Sequence, residues 1–260
     1  MRVAACGLSD SGRIRSHNED SFEIDRDHEL FVVADGMGGH SHGEVASRMA
    51  VDAIREFVRR AEAEGDDTWP YAYDPRLQRH ANVLKAAVTL AHDQVLSAIR
   101  RDGALYGMGT TVVGCLVRGD TAAVAHVGDS RAYRFHDGAL ELLTQDHTWV
   151  NEQVVAGYLS EAQARDHPLK NVVTRALGGD SEVTVDVAEI ALAPGDTLLL
   201  CSDGLTTMLE DREIEALLRN HAQGALNGAC ETLIAEANAR GGHDNVTVLL
   251  LRADWVGPRG

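Results

Sequence analysis

Apolar runs of strand length recur along the chain and are rich in β-branched residues. They cover residues 2–7, 30–34, 110–117, 121–127, 132–135, 183–190, 197–201 and 246–251, with a shorter run at 21–24. Tight-turn residues separate neighbouring runs at Arg118-Gly119-Asp120 and Asp137-Gly138. The pattern therefore predicts antiparallel hairpins and disfavours a Rossmann-like alternation of strands and helices.

Helical periodicity marks four segments. Residues 44–63 and 82–99 repeat apolar side chains every three to four positions, and shorter repeats cover 212–219 and 228–239. Strands that bury one face on each other and helices that need an apolar surface are satisfied together when two antiparallel sheets stack and helices cover both outer faces. We therefore predict an α/β sandwich of the α+β type, with four layers in the order αββα.

The length of 260 residues, with 44% hydrophobic residues, is typical of one large domain. We expect a single domain over residues 1–254 and a short tail at 255–260. Residues 146–170 are polar and weakly periodic between core strands, which favours a mobile flap. Residues 65–79 contain Pro70 and Pro75 and are expected to form the loop between the two long helices.

The composition restricts the choice of partners. The chain has 40 acidic residues against 24 Lys and Arg, which argues against a nucleic-acid or anionic-membrane surface but suits metal cations. The four cysteines are scattered without a CxxC pair, so we expect buried, inert thiols in a reducing compartment. The chain opens without a signal-peptide pattern, and its apolar runs are too short for a membrane span. We expect a cytoplasmic protein.

Four aspartates stand at the ends of apolar runs. Asp35, Asp129 and Asp203 each follow such a run beside a glycine, and Asp244 precedes the run 246–251. A single Asp-Gly is most often a turn or a helix cap, but four in the same context favour a shared role. Converging carboxylates repel each other unless cations neutralise them, and oxygen ligands suit Mg²⁺ or Mn²⁺. The pattern therefore favours a divalent metal site.

The N-terminal segment 9–20 adds arginines and acids before the strand at 21–24. Arg13 and Arg15 offer guanidinium groups, which bind phosphate bidentately. Beside a metal cluster, such an arginine would be a second clamp for an anionic substrate. The alternative is that both arginines form salt bridges with the neighbouring acids, and the local sequence does not separate the two interpretations.

Eight motifs in order resemble a known family. They are DSGRIRSHNEDS, VVADGMGGHSHGEVAS, GTTVV, AHVGDSRAYR, LTQDHTWV, NVVTRALG, LLLCSDGLT and DNVTVLLL. This set is similar to the metal-dependent protein phosphatases of the 2C type in their short bacterial form, over about residues 7–251. The resemblance implies the stacked sheets argued above, a binuclear Mn²⁺ or Mg²⁺ centre at one end of the sandwich, and phosphoserine and phosphothreonine in proteins as substrates.

The resemblance also implies the ligands of the two ions. At the matching positions, Asp35 would bridge both ions and Gly36 would give its backbone carbonyl to one of them. Asp203 and Asp244 would bind the other ion. Asn245 would orient the neighbouring groups.

Further roles follow from the same motifs. Glu19 and Asp20 match acids that hold water on the ions, and Arg15 matches the arginine that binds the substrate phosphate. Asp129, together with Asp203, matches the residues that hold a weaker third ion in bacterial members. Water activated by the ions would attack phosphorus in line, without a covalent phosphoenzyme.

One position departs from the family. Animal members place a histidine directly after the Asp-Gly, where it is a candidate general acid, whereas this chain has Met37. His40 is the candidate replacement, and the alternative is that His40 caps or packs the loop. Met37 thus puts the identity of the acid in question rather than the activity.

The expected function is a protein serine/threonine phosphatase acting on phosphorylated proteins as a cytoplasmic monomer, opposing a bacterial Ser/Thr kinase. One alternative is a catalytically silent module of the same fold that binds phosphoproteins, which predicts a broken metal set. A second is a nucleotide-binding loop at residues 36–39. That loop lacks the following Gly-Lys-Ser/Thr, and residues 35–45 contain no Lys or Arg.

Overall fold

Two antiparallel sheets lie at the centre of the computed structural model, which describes residues 2–38, 42–63, 71–222 and 224–254. The strands are β1 (Arg2–Asp10), β2 (Asp20–Asp25), β3 (Leu30–Met37), β4 (Gly109–Thr110), β5 (Val112–Arg118), β6 (Thr121–Val127), β7 (Arg131–His136), β8 (Ala139–Leu142), β9 (Asp186–Ala191), β10 (Thr197–Cys201) and β11 (Val246–Asp254). One sheet has the order β1-β11-β10-β7-β8. The other has the order β2-β3-β5-β6-β9, with β4 paired to β3.

Helices cover the outer face of each sheet. They are α1 (His42–Ala63), α2 (Arg79–Arg101), α3 (Trp149–Val155), α4 (Glu161–Arg165), α5 (Asp203–Thr206), α6 (Asp211–Asn220) and α7 (Leu226–Ala239). The long pair α1 and α2 packs on the β2-β3-β5-β6-β9 sheet, whereas α6 and α7 pack on the other sheet. The predicted four-layer αββα sandwich is therefore confirmed.

The central strands are apolar on both faces because each face meets a different layer. In β3, Phe31 and Val33 point into the core between the sheets, whereas Leu30 and Val32 pack under α1 and α2. In β10 the residues likewise alternate between the core and the helices. Side chains of a strand alternate between its faces. The sequence of a strand in an inner layer is therefore one continuous apolar run.

The two predicted hairpins are present. Gly119 (φ +63°) turns the chain between β5 and β6. Asp137 (φ +48°) and Gly138 (φ +82°) join β7 to β8 with the positive φ angles that a type I′ turn requires. No helix in the described ranges is long and apolar enough to cross a membrane.

Some element bounds differ from the predicted ones. β1 continues to Asp10, beyond the apolar run, because its polar end pairs with the start of β11. The predicted strand 110–117 divides into β4 and β5, and β9 begins at Asp186 rather than at 183. The flap region contains the short helices α3 and α4, which weak periodicity did not predict. Residues 65–70 of the predicted helix-to-helix loop and the tail 255–260 lie outside the described residues.

Candidate metal centre

Five carboxylates meet at one end of the two sheets. They belong to Asp20 at the start of β2, Asp35 in β3, Asp129 after β6, Asp203 at the start of α5 and Asp244 before β11. Asp20 lies opposite Asp35 in the β2–β3 register, and the carboxyl of Asp35 adjoins that of Asp203. The charges of the other four acids all act on Asp35. The structure therefore brings together the acids that the sequence pattern placed at strand ends.

Burial and mutual repulsion raise the pKa values of this cluster. Burial raises the pKa of Asp20 and that of Asp129 to about 7 each, and nearby carboxylates add to both shifts. Burial also raises the pKa of Asp203 to about 6, with repulsion from Asp244 adding to the shift. The pKa of Asp35 is held well above its ordinary value, again chiefly by burial. Carboxylates that repel each other in this way favour a bound cation.

Asp20 has one oxygen fixed and one free. Its Oδ2 accepts hydrogen bonds from Ser202 Oγ (2.8 Å) and Thr247 Oγ1 (2.6 Å). Its Oδ1 is buried and has no hydrogen-bond partner among the described residues. A buried polar atom without a partner is costly, and here it belongs to a carboxylate within an acidic cluster. The donor set fits a hard divalent cation or the water around one, both of which suit carboxylate oxygens.

Gly36 lies where the backbones of β3 and α1 come into close contact. A Cβ on Gly36 would lie 2.1 Å from the carbonyl oxygen of Gly43, at the start of α1, and 2.6 Å from that of Glu19. A Cβ on Gly43 would in turn lie 2.7 Å from the carbonyl carbon of Gly36. The two glycines thus allow α1 to begin directly against β3. The role of the Gly36 carbonyl as a ligand stays a prediction.

Arg15 lies beside the cluster and contacts one of its acids. Its Nη2 is 2.8 Å from Oδ2 of Asp244, and the two side chains are 54% and 36% exposed. Close packing holds this loop near Asp244, since a Cβ on Gly12 would lie 2.3 Å from the Asp244 carbonyl oxygen. Arg13 donates its backbone N–H to Gly242 O (2.7 Å). The arginine matched to phosphate binding therefore stands at the edge of the acidic site.

Asn245 holds the loop that carries Glu19. Its Oδ1 accepts the backbone N–H of Glu19 at 2.8 Å, and its Nδ2 donates to the carbonyls of Ser11 and His17. The buried side chain thus fixes three points of the β1–β2 loop. The orienting role that the resemblance implies for Asn245 stays a prediction, and the contacts of its side chain with this loop all go to backbone groups.

Asp129 is positioned by its neighbours on both sides. Gly128 adopts φ +108°, and a Cβ there would lie 2.5 Å from Thr111 Cβ. The hydroxyl of Thr111 shares a hydrogen bond of 2.7 Å with Ser130 Oγ, and its backbone N–H donates to Asp35 O at 2.9 Å. The backbone around Asp129 is therefore tied to that of Asp35.

Asp146 is an acid of this region that the sequence interpretation missed. Its charge adds to the raised pKa of Asp129 and of Asp203. Arg131 neutralises it with two hydrogen bonds, Nε to Oδ1 at 2.8 Å and Nη2 to Oδ2 at 2.6 Å. The Asp-His pair within LTQDHTWV could have drawn attention to Asp146. The local sequence does not show, however, that this motif lies beside Asp129 in the folded chain.

A second cluster of polar side chains lies next to Asp129. Potential ligand atoms of His126, His147 and Asp186 fall within 4.8 Å of one another. The two imidazole rings stack with centroids 4.6 Å apart and planes at 16°. Because the nitrogen lone pairs lie in the ring planes, nearly parallel rings cannot both direct them at one ion. Nε2 of His126 also bonds Gln145 O, so we read the cluster as a hydrogen-bonded network.

His40, the candidate general acid, lies outside the described residues. Met37 belongs to β3, opposite Gly109 in the register with β4. A Cβ on Gly109 would lie 3.5 Å from Met37 Cγ, so the methionine packs across the short strand. This accounts for an apolar residue at that position without assigning it a chemical role.

A family model for protein phosphatase 2C matches residues 13–250. The chain belongs to the protein phosphatase 2C family. This phosphatase is 39% identical over 253 residues to the serine/threonine phosphatase stp of Listeria monocytogenes, covering 95% of this chain and 94% of that protein. It is 34% identical over 247 residues to protein phosphatase PhpP of Streptococcus pneumoniae, covering 94% and 95%.

Solved structures of the family share the fold of this phosphatase. The Mycobacterium tuberculosis serine/threonine phosphatase PstP/Ppp superposes with a TM-score of 0.85 at 32% identity, covering 98% of this chain and 100% of that one. The catalytic domain of PstP, solved in complex with two manganese ions, superposes with a TM-score of 0.81 at 32% identity, covering 97% and 99%. The resemblance inferred from the motifs is therefore confirmed.

Proposed function

We propose that this chain hydrolyses phosphoserine and phosphothreonine in proteins with the help of two divalent cations, Mn²⁺ or Mg²⁺. The single observation that carries the proposal is the buried carboxylate cluster with an unpartnered oxygen on Asp20. The manganese ions in the PstP structure support the choice of metal. The proposed ligands are Asp35, the carbonyl of Gly36, Asp203 and Asp244, with Glu19 and Asp20 acting through water.

The residues of the chain have distinct tasks in this reaction. Bound cations supply positive charge opposite the phosphate oxygens and lower the pKa of water toward neutrality. The acids provide the negative charge that holds the cations. Arg15 binds the substrate phosphate, because its guanidinium is half exposed at the rim and carries paired donors that match phosphate oxygens.

Two finer assignments belong to the same proposal. Asp129, with Asp203, holds a weaker third cation, and the raised pKa values of both acids support a cation there. His40 is the proposed donor of a proton to the leaving alkoxide. The thiols take no part: all four cysteines are buried, and burial raises the pKa of Cys115 and of Cys201 to about 12.

The cellular setting is part of the proposal. We infer a cytoplasmic monomer with a single catalytic domain over residues 1–254 and a flap at 146–170. Its substrates are phosphoproteins, and its activity opposes a bacterial Ser/Thr kinase. Names of bacterial relatives as serine/threonine phosphatases support the substrate class.

The test is hydrolysis of p-nitrophenyl phosphate and of a phosphothreonine peptide. We expect turnover with Mn²⁺ and loss of turnover in EDTA. Asp203→Asn and Asp244→Asn should nearly abolish turnover, because each removes one charge that holds a cation. Asp137→Asn is the matched control, since Asp137 is 90% exposed in the β7–β8 turn. Unchanged activity in either cluster variant would contradict the metal assignment. Phosphopeptide binding without turnover in the Mn²⁺-loaded protein would favour the silent module instead.

A further inference from the structure

His147 and Gly128 hold each other through two hydrogen bonds. The backbone N–H of Gly128 donates to Nδ1 of His147 at 3.0 Å, and the backbone N–H of His147 donates to Gly128 O at 2.9 Å. The histidine is 5% exposed. A backbone N–H can only donate, so Nδ1 of His147 is the acceptor in this bond.

The other side of the ring faces the end of the chain segment that contains the flap. Nε2 of His147 lies 3.2 Å from Oδ2 of Asp186, at the start of β9. The guanidinium of Arg175 lies against the same nitrogen and donates to Oδ1 of Asp186 at 3.0 Å. The carbonyl of His147 accepts the backbone N–H of Thr174 at 2.8 Å. His147 thus joins the segments before and after the flap.

The Gly128 end of this network leads to the acidic site. Gly128 precedes Asp129 directly, and its positive φ is a conformation that side chains disfavour. Thr111 packs against Gly128 and also hydrogen-bonds the backbone of Asp35. The hydrogen bonds between His147 and Gly128 therefore fix the position of the Asp129 backbone, at the end of β6, relative to the backbone of Asp35.

We propose that His147 is a positioning residue that fixes the carboxylate of Asp129 through the backbone of Gly128 and couples it to the base of the flap. The proposal rests on the proposed function, in which Asp129 helps to hold a third cation. It assigns His147 no contact with the substrate or with a metal. Its consequence is that loss of the bond between His147 and Gly128 weakens cation binding at Asp129 and leaves the other ligands in place.

Two substitutions separate the halves of the network. In His147→Asn, the amide oxygen can take the place of Nδ1, so the bond from the Gly128 N–H is retained and the link to Asp186 is lost. In His147→Gln, the amide reaches the place of Nε2, so the link to Asp186 is retained and the bond to Gly128 is lost. Both variants replace the same buried imidazole with a side-chain amide, so each is the control for the other.

The first measurement is hydrogen–deuterium exchange resolved to the Gly128 amide in the full chain, with EDTA present. We expect exchange to accelerate about tenfold or more in His147→Gln, because the amide loses its acceptor, and to stay within about threefold of wild type in His147→Asn. Circular dichroism checks that both variants are folded. Equal acceleration in the two variants would overturn the role of the bond between His147 and Gly128. This readout is independent of metal and of activity, so it stands even when the proposed function fails.

The second measurement is Mn²⁺ titration by calorimetry without substrate. Asp129→Asn identifies the weak binding phase, because it should remove that phase alone. We expect His147→Gln to weaken the same phase about tenfold or more, the effect typical of groups that orient a ligand, and His147→Asn to rescue it. Equal weak-phase affinities in both His147 variants, or a wild-type protein without a weak phase, would overturn the coupling to Asp129. Absence of any Mn²⁺ binding would instead contradict the proposed function.

Discussion

The charge of Asp20 should destabilise the folded chain at alkaline pH when a chelator keeps cations away. The acid is buried beside other acids, and its Oδ1 has no partner among the described residues. Asp20→Asn removes the charge and keeps an oxygen that can accept from Ser202 and Thr247. We therefore expect Asp20→Asn to have a higher free energy of unfolding than wild type in EDTA at pH 8.

The size of the effect follows from the shift in pKa. The pKa of Asp20 is about 7 in the folded chain, against an ordinary value of 3.8. Between these values the folded chain holds a proton that the unfolded chain has lost, so wild-type stability falls as pH rises toward and through 7. From pH 6 to pH 8 the change amounts to about 1.4 kcal/mol. The advantage of Asp20→Asn over wild type should therefore shrink by that amount when the pH is lowered from 8 to 6.

Comparing Asp20→Asn with wild type removes the contribution of buried histidines to the pH dependence of stability, which opposes that of Asp20. Burial lowers the pKa of His126 and of His147, so their protonation in the unfolded chain reduces stability as pH falls toward 6. Both histidines are present in wild type and in Asp20→Asn, and their contributions cancel in the difference.

Urea unfolding in EDTA at pH 6, 7 and 8 provides the measurement. Asp137→Asn serves as the control and should differ from wild type by the same amount at each pH. Saturating Mn²⁺ should reverse the order, because the wild-type carboxylate then helps to hold the cation. An advantage of Asp20→Asn that is constant with pH, or that grows as pH falls, would refute the reasoning.

Three further predictions concern single contacts. Arg15→Ala should raise KM for a phosphopeptide about tenfold with little change in kcat, because a charge-assisted bond to the bound phosphate is lost. A fall in kcat alone would contradict the binding of phosphate by Arg15. Gly36→Ala should prevent soluble folding, since its Cβ would meet the backbone of α1, whereas Gly103→Ala meets nothing within 4 Å and should match wild type in expression and thermal unfolding. Asp196→Asn should cost about 3 kcal/mol in urea unfolding, because the fully buried carboxylate is the partner of Arg134; a loss below about 1 kcal/mol would show that Arg134 finds another partner.

Strands with both faces buried were the most predictable part of the fold. The observed bounds of β6 (Thr121–Val127) and β10 (Thr197–Cys201) coincide with their apolar runs, because packing between layers favours apolar residues on both faces of a strand. Where a strand edge is polar, as at Ser9 and Asp10 in β1, pairing with β11 decides the boundary and composition does not. The short flap helices were not predicted because they show little apolar periodicity. α4, for example, begins with a capping box at Ser160 but buries none of its residues.

The acids of the site were predictable from their positions at the ends of strands. The residues that hold those acids in place were not. An aspartate beside a glycine at a strand end stands out locally, as Asp35 and Asp203 do. The hydroxyl of Thr247, which fixes Asp20 from 227 residues away, looks like an ordinary strand residue. His147 was predicted only as part of the flap and of the motif LTQDHTWV, without a role of its own. Both act through contacts between distant segments, which a pattern along the chain does not encode.

The contacts of the acids explain why the proposed site would depend on cations from solution. Asp20 is held by neutral hydroxyl groups, which fix its position and leave its charge in place. Arg131 is close to Asp129, but its two short hydrogen bonds go to Asp146. Arg15 contacts the cluster at its rim, at Asp244, where solvent screens the pair, and its charge also lowers the pKa of Asp203. Because the fold holds the acids together and gives them little internal positive charge, binding of divalent cations should stabilise the folded chain as well as enable its proposed chemistry.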